Sequence, residues 1–238
     1  MQYLILADIH ANLEALQAVL SHASQNYNFS RVLVLGDLIG YGANPNEVIE
    51  LIKQQKEPII LMGNHDAAVV GKTKLELFNP AAAECIKWTK KQLKEENLRF
   101  LEELPYFFST PFVFACHASP RNFLWEYLDV FSALQCLDLI PETLLLFGHN
   151  HECFYASKDE KQAIASNFEL KIDKKTAVSI PAVGQPRDKN PKAGYAVLDF
   201  NKKMLYIERV NYDIEKAAKK IIKAGLPTIE AERLFRGE

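Results

Sequence analysis

Five short apolar runs in this chain each end at residues that commonly bind metal ions, and this repeated pattern constrains the fold more than any other feature. Short apolar runs bounded by glycine or polar residues are typical of buried β-strands. In open α/β sheets, ligands bind outside the carboxyl ends of the strands. The pattern therefore predicts one metal site built from distant segments. The residues that follow the five runs are Asp8 and His10, Asp37, Asn64 and His65, His117, and His149 and His151.

The first half of the chain alternates apolar runs with helical patterns. The runs are Tyr3–Ala7, Val32–Leu35 and Ile59–Met62, and apolar residues recur at helical spacing in Asn12–Ala23 and Pro45–Gln54. A β-α-β-α-β order joins parallel strands by right-handed crossovers. We therefore expect a buried parallel sheet in this half.

The second half of the chain has a different pattern, with many short strand candidates separated by turn residues. Upstream of it we expect a helical stretch at Pro80–Leu104, two strands within Tyr106–Cys116, a helix at Asp129–Asp138 and a strand at Leu144–Phe147. The strand candidates are Cys153–Ala156, Ala163–Ser166, Thr176–Ile180, Tyr195–Phe200 and Met204–Val210, followed by helices at Ile214–Lys223 and Thr228–Phe235. Such spacing is typical of a mostly antiparallel sheet. We expect one α/β domain over residues 1–238, with the metal motifs in 1–151, the mostly antiparallel strands in 152–210 and the C-terminal helices in 211–238.

Charge and cysteine content exclude several classes of protein. A formal net charge of −2 argues against a protein that relies on broad contact with a nucleic-acid backbone, so no stable nucleic-acid complex is expected. The four cysteines, Cys85, Cys116, Cys136 and Cys153, form no C-x-x-C pair and are expected to be reduced and buried. The N-terminus does not resemble a signal peptide, and no apolar run approaches the ~18 residues of a membrane helix. A cytoplasmic protein without a membrane partner is the default expectation.

The alternative to a metal site is that these residues only cap strands and form turns. Asp8-x-His10 alone, or Gly36-Asp37 alone, fits that interpretation. Gly63-Asn64-His65-Asp66 and Gly148-His149-Asn150-His151 fit it less well, because several polar residues directly follow a buried run. Of the six histidines in the chain, only His22 lies outside the set. Capping therefore does not account for the complete series.

The chemical types of the candidate ligands indicate which metals they suit. Oxygen and imidazole ligands without cysteine suit Mn²⁺, Fe²⁺, Zn²⁺, Co²⁺ or Ni²⁺ and argue against a structural zinc held by thiolates. Seven ligands are too many for one ordinary ion but suit two divalent ions that share one carboxylate. We expect manganese to serve in vitro. The candidate ligands are Asp8, His10, Asp37, Asn64, His117, His149 and His151.

A family resemblance follows from these motifs. The series Asp8-x-His10, Gly36-Asp37-x-x-Gly40, Gly63-Asn64-His65-Asp66, His117 and Gly148-His149-x-His151 resembles the calcineurin-like metallophosphoesterases over about the first 151 residues. Two further stretches, Leu35–Gly42 and Val183–Arg187, resemble a branch of small bacterial and archaeal members related to a phosphodiesterase type with little substrate restriction. In that branch the second stretch usually follows Asn-Pro-Gly-Ser, whereas Ser179-Ile180-Pro181-Ala182 precede it here.

The resemblance implies a fold, a set of residue roles and a reaction. The implied fold is a four-layer sandwich of two mixed β-sheets flanked by helices. The implied reaction is hydrolysis of a phosphoester by a hydroxide that bridges two metals. His65 would be catalytic without binding metal, facing the leaving group or a phosphate oxygen. The implied ligands are Asp8, His10 and His151 for the first metal, Asn64, His117 and His149 for the second, and Asp37 for both.

The substrate is less well defined by the sequence than the chemistry. Tyr41 and Asn44 follow the Gly36-Asp37 turn, Arg121 lies just past His117, and Arg187 lies in a turn bounded by glycine and proline, so all four are candidate substrate contacts. A small phosphoester or nucleotide-like molecule is expected, and mono- and diesters remain alternatives.

Two other functions fit the same fold. The first is a metal-binding scaffold that is catalytically idle, as in the retromer subunit, but this chain retains every ligand and His65. The second is a nuclease related to the double-strand-break repair enzymes, but those carry extra domains and basic surfaces that this chain lacks.

Overall fold

The computed structural model describes residues 1–238 and contains two six-stranded β-sheets. The first sheet has the order β3 (Ile59–Ile60), β2 (Arg31–Val34), β1 (Gln2–Leu6), β11 (Ala193–Asp199), β12 (Met204–Val210) and β9 (Phe168–Lys171). The second has the order β4 (Phe107–Ser109), β5 (Val113–Cys116), β6 (Leu144–Phe147), β10 (Thr176–Ser179), β7 (Phe154–Ser157) and β8 (Lys161–Ala163). Both sheets combine parallel and antiparallel pairs, which confirms the predicted α/β fold of two mixed sheets.

Eight α-helices connect or flank these strands. They are α1 (Leu13–Asn26), α2 (Pro45–Lys53), α3 (Asn64–Val69), α4 (Pro80–Gln92), α5 (Glu95–Glu102), α6 (Val130–Leu137), α7 (Ile214–Lys223) and α8 (Thr228–Arg236), with one 3-10 turn at Leu75–Leu77. Helix α1 begins where the side chain of Asn12 accepts a hydrogen bond from the main-chain nitrogen of Ala15. Helix α2 begins with Pro45, whose missing N–H costs nothing at that position.

The central strands are hydrophobic on both faces because each sheet packs on two sides. Alternate residues of a strand point to opposite faces. In β1, Leu4 and Leu6 pack among the buried residues of α1 and α2, whereas Tyr3 and Ile5 pack into a second core that includes Leu144 and Leu146 of the other sheet. The main cores therefore lie between the two sheets and between the first sheet and its helices.

The parallel strands bring their carboxyl ends to a common edge. Strands β1, β2 and β3 pair in parallel in the first sheet, and β5, β6 and β10 do so in the second. The predicted parallel arrangement of the first three strands is confirmed. Because the polar residues of the sequence pattern follow β1, β2, β3, β5 and β6, this topology decides where those residues meet.

Three local expectations differ from the structure. The helical stretch Pro80–Leu104 is two helices, because the backbone turns to an extended conformation at Leu93. The strand expected at Ala163–Ser166 lies earlier, at Lys161–Ala163, where it pairs with β7. The stretch Gly63-Asn64-His65-Asp66, for which the sequence predicted no helix, begins helix α3, because the Asp66 carboxylate accepts a hydrogen bond from the Gly63 main-chain nitrogen at 3.0 Å.

Two smaller expectations can also be compared with the structure. All four cysteines are free and buried, as predicted. No helix combines the length and the apolar character needed to cross a membrane.

Candidate metal centre

The seven predicted ligands meet where the carboxyl ends of the parallel strands converge. None of the seven is more than 3% exposed. Their ligand atoms form two groups, within each of which the atoms lie no more than 4.8 Å apart. Asp37 belongs to both groups, and Oδ1 of Asn64 lies 3.1 Å from Nε2 of His117 in the second. The groups are Asp8, His10, Asp37 and His151, and Asp37, His117 and His149.

Most of these ligands have an unusual backbone conformation. Asp8, His10, Asp37, His149 and His151 have φ values between 48° and 63°, a left-handed region that residues other than glycine adopt at a cost. Such outliers persist only where the surrounding structure holds them, and they cluster at functional sites. Here main-chain hydrogen bonds hold the turns, for example from His10 N to Asp37 O at 3.0 Å. The strained turns direct the side chains of these ligands toward one point.

Two glycines allow the turns after β2 and β3 to approach each other. A Cβ atom on Gly63 would lie 2.0 Å from Oδ1 of Asp37 and 2.3 Å from its main-chain nitrogen. A Cβ atom on Gly36, whose φ is +89°, would lie 2.8 Å from Cα of Gly63. No other residue fits at either position without displacing Asp37 or its turn.

Three of the four histidine ligands are oriented by main-chain carbonyls. Nδ1 of His10 lies 3.1 Å from Ile39 O, Nδ1 of His117 lies 2.8 Å from Leu35 O, and Nδ1 of His151 lies 2.6 Å from Gln185 O. A carbonyl can only accept, so each Nδ1 carries the proton and each Nε2 presents a lone pair.

These lone pairs face one another in a way that suits a cation. Nε2 of His10 and Nε2 of His151 are 3.1 Å apart, and Nε2 of His117 lies 3.1 Å from Nδ1 of His149. In the His10–His151 pair both nitrogens carry lone pairs, which repel each other at this distance unless a cation lies near both. The donor set therefore fits divalent metal ions.

The electrostatics of the cluster lead to the same conclusion. Burial raises the pKa of Asp8 to about 7 and raises that of Asp37 well above its usual value, with the Asp66 carboxylate adding to the second shift. Burial also lowers the pKa of His10, His149 and His151 well below the usual value for histidine. These three imidazoles are thus neutral, as metal ligands must be, and the carboxylates need a nearby positive charge to ionise at low cost.

His65 lies beside the cluster but is not part of either ligand group. Its ring packs against the rings of His10, Tyr41 and Phe78, with centroids 4.8, 4.6 and 5.0 Å away. Neither ring nitrogen has a hydrogen-bond partner, and Nδ1 is buried against Gly40. Its main-chain nitrogen donates to Oδ1 of Asp37 at 2.9 Å. His65 therefore helps hold Asp37 and presents a ring with Nε2 free.

Arg187 and Tyr41 lie next to the cluster and contact each other. Nη2 of Arg187 donates to the Tyr41 hydroxyl at 3.4 Å, and the guanidinium lies 5.7 Å from the centre of that ring. Gln185 accepts from both Nε and Nη2 of Arg187, at 3.2 and 2.7 Å. The positive charge of Arg187 lowers the pKa of His151 and of His65 in addition to the effect of burial. Arg187 is therefore a cation placed close to the candidate ligands.

Sequence reasoning missed the residues that hold Arg187 in place. The Gln185 amide donates to Oε2 of Glu230 at 2.8 Å, and Gln185 and Glu230 are each 1% exposed. The motif Val183–Arg187 contains Gln185 and could have identified it. Glu230 lies in α8, which has no sequence motif, so only the fold reveals its role.

The other two predicted substrate contacts have partners of their own. Asn44 donates to Glu47 at 2.9 Å and accepts from Lys220 at 2.9 Å. The Arg121 guanidinium is paired with Glu126 and donates to Gln135 at 3.1 Å. The expectation that Arg121 faces the site is therefore not supported by its contacts, because Glu126 already neutralises its charge.

One aromatic residue at the site was also not identified from the sequence. The Tyr127 ring stacks on the His149 ring with centroids 4.0 Å apart and planes 27° apart. The sequence around Tyr127 carries no motif that indicates which strand end its ring covers.

Comparisons with known proteins agree with this geometry. The model of the calcineurin-like phosphoesterase family matches residues 1–162. An uncharacterized protein of Methanocaldococcus jannaschii is 40% identical over 245 residues, which cover 98% of this chain and 97% of that protein. The crystal structure of a metallophosphoesterase from Sphaerobacter thermophilus is 34% identical, with a TM-score of 0.90 and complete coverage of both chains. A hypothetical protein from Pyrococcus horikoshii has the same fold at 19% identity, with a TM-score of 0.83 over 100% of this chain and 98% of that one.

Proposed function

Because this chain belongs to the calcineurin-like phosphoesterase family, we propose that it hydrolyses a small phosphoester with two divalent metal ions. The observation that carries the proposal is that one carboxylate, that of Asp37, is common to two groups of buried ligand atoms. Asp8, His10 and His151 would complete the first metal site. Asn64, His117 and His149 would complete the second.

The two ions would supply Lewis acidity, which lowers the pKa of water toward neutrality and offsets the negative charge of the phosphoryl group. The protein supplies orientation. The carbonyls of Ile39, Leu35 and Gln185 fix the imidazoles of His10, His117 and His151 before any ligand arrives. Such preorganisation avoids a reorganisation cost during the reaction.

His65 and Arg187 are the residues that we propose to act on the phosphoester itself. Nε2 of His65 has no partner within the protein and would donate a hydrogen bond, or a proton, to an ester oxygen. The guanidinium of Arg187 would bind phosphate oxygens with the N–H groups that point away from Gln185. The packed rings of Tyr41 and Phe78 around His65 would keep bulk water from that side of the site.

The proposal can be tested by metal analysis combined with a panel of phosphate mono- and diesters in the presence of Mn²⁺. Asp37→Ala is expected to lose metal and activity together. His65→Ala is expected to keep its metal and lose about a hundredfold or more in kcat, the range of general acid catalysis. His22→Ala is the matched control, because His22 contacts Tyr195 and lies outside the cluster.

Two results would contradict the proposal. A fully active Asp37→Ala variant would exclude the shared carboxylate from the chemistry. Stoichiometric metal with no turnover of any ester would instead support a metal-binding scaffold.

A further inference from the structure

A wide groove of about 790 Å³ opens beside the metal centre. Its volume lies in the range of sites for small organic ligands, roughly 300–1,000 Å³. Apolar side chains predominate in its lining, with a few polar groups among them. The lining residues that matter here are Tyr127, Phe131, Asn150, Glu152, Ile164 and Arg187.

The groove adjoins the two chain segments that carry the candidate ligands His149 and His151 and the cation Arg187. Asn150 lies between the ligands His149 and His151 in the chain. The main-chain nitrogen of Arg187 donates to His151 O at 3.0 Å. A phosphoryl group held at the metals and by Arg187 would therefore extend its organic substituent into this groove.

The segment that carries Tyr127, an aromatic residue lining the groove, is held in position by hydrogen bonds. The side chain of Asn150 donates to Leu128 O at 2.5 Å and accepts from Leu128 N at 3.3 Å, which clamps the neighbouring segment. This clamp holds the Tyr127 ring on His149. Tyr127 is nevertheless 60% exposed, and Phe131 is 69% exposed. Large aromatic surfaces left uncovered beside a polar site indicate a binding surface.

The polar groups of the groove limit what can bind there. The carboxylate of Glu152 has no hydrogen-bond or ion-pair partner within the protein, so it is available to accept from hydroxyl or amino groups of a ligand. A plain hydrocarbon substituent would leave this acceptor unused. A ligand with a flat aromatic ring, hydrogen-bond donors and a phosphate would use the whole groove.

We propose that this groove binds the nucleoside part of a nucleotide substrate, with the base against Tyr127 and Phe131. The inference rests on the proposed function, since it assumes that the phosphoryl group lies at the metals. It narrows the substrate from phosphoesters in general to nucleoside phosphates. Stacking on aromatic rings tolerates different bases, so purines and pyrimidines should both bind.

The test measures binding rather than turnover. Isothermal titration uses the Mn²⁺-loaded His65→Ala protein, which is expected to keep its metal with little turnover, and compares adenosine 5′-monophosphate, ribose 5-phosphate and inorganic phosphate. We expect the nucleotide to bind about tenfold or more tightly than either of the others. Tyr127→Leu and Phe131→Ala should each weaken nucleotide binding by about tenfold, the order expected for loss of one stacked ring. Phe131→Ala, which has no contact with a metal ligand, should not change the affinity for inorganic phosphate.

The control is Phe235→Ala, which removes an aromatic side chain that is 52% exposed on α8 and does not line the groove. It should leave all three affinities unchanged. Equal affinities for the nucleotide and ribose 5-phosphate in the His65→Ala protein with an unaltered groove would overturn the inference, as would unaltered nucleotide binding in both groove variants. Selective nucleotide binding without hydrolysis of any ester would contradict the proposed function while leaving the groove assignment intact.

Discussion

At the scale of single residues, Asp8 and Asp37 show most directly that the cluster needs a compensating positive charge. Each is buried beside other polar groups, and burial raises the pKa of both carboxyl groups. A carboxylate buried without a compensating charge costs free energy, whereas a metal ion converts the same carboxylate into a strong ligand. These residues therefore reduce the stability of the fold at neutral pH in return for binding metal.

The pKa of Asp8 leads to a pH-dependent prediction for the metal-stripped protein. Because the folded-state pKa is about 7 and lies above the unfolded value, the folded state binds the extra proton, and stability falls as the pH rises from about 4 to about 7. Asp8→Asn removes this dependence. Between pH 5 and pH 7 the variant should gain on the order of 2 kcal/mol in free energy of unfolding relative to the unaltered protein. Urea denaturation at several pH values checks this, and parallel pH profiles for the two proteins would contradict it.

A second residue-scale prediction concerns the close approach at Gly63. In Gly63→Ala the new methyl group would overlap Oδ1 and the main-chain nitrogen of Asp37, so the turn must move and carry Asp37 with it. We expect the variant to lose metal binding. Gly225→Ala is the control for a loss of stability away from the cluster, because Gly225 has a φ of +72° but nothing within 4 Å of an added Cβ atom. It should cost about 1–2 kcal/mol in stability and keep its metal. Normal metal content in Gly63→Ala would show that the turn tolerates a side chain.

At the scale of secondary-structure elements, the C-terminal helix α8 reaches the site through a buried chain of hydrogen bonds. Glu230 accepts from Gln185, and Gln185 accepts from Arg187. The Gln185 amide is therefore held in one orientation, because its oxygen is needed by Arg187 and its nitrogen by Glu230. A helix far from the metal motifs in sequence thus positions Arg187, the cation that we propose to bind phosphate.

This chain of contacts predicts coupling between Glu230 and Arg187. Arg187→Ala should weaken binding of inorganic phosphate to the Mn²⁺-loaded protein by about tenfold, since a charge-assisted hydrogen bond is lost. Glu230→Ala should weaken it by a smaller factor, and the double variant should be no weaker than Arg187→Ala alone. Glu232→Ala is the control, because Glu232 lies on the same helix and is exposed. Additive effects in the double variant would exclude the coupling.

At the scale of the whole molecule, the metal centre joins the carboxyl ends of strands from both sheets. Asp8 and Asp37 follow strands of the first sheet, whereas His117 and His149 follow strands of the second. Bound metals would therefore link the two sheets directly. A ligand that binds only the folded state stabilises it by mass action.

Metal removal is accordingly expected to lower thermal stability. With Mn²⁺ at a hundred times its Kd, stabilisation should be about 3 kcal/mol, which raises the Tm by roughly 5–10 °C for a protein of this size. Differential scanning fluorimetry with Mn²⁺ and with chelator measures the difference. Asp37→Ala should show no such shift. An equal Tm with and without metal in the unaltered protein would contradict the prediction.

The elements predicted from sequence were accurate where one local signal dominated. Leu144–Phe147, Met204–Val210 and Ile214–Lys223 match the structure at both ends, because a hydrophobic run or a helical period is bounded there by turn residues or caps. Strand β9 was missed, although Phe168 and Leu170 alternate with charged residues. The backbone hydrogen bonds of β9 with β12 stabilise this strand, and a four-residue pattern does not reveal such a partner.

The sequence by itself determined the chemical character of the site, because ligand types and their positions after apolar runs are local properties. It indicated parallel strands, two metal ions that share one carboxylate, and the residues that could hold them. Only the tertiary structure decided which residues surround that centre: Glu230 through Gln185, Tyr127 over His149, and Arg121 turned to Glu126. These contacts join residues from separate elements, and their energies depend on packing between elements rather than on any pattern within one segment.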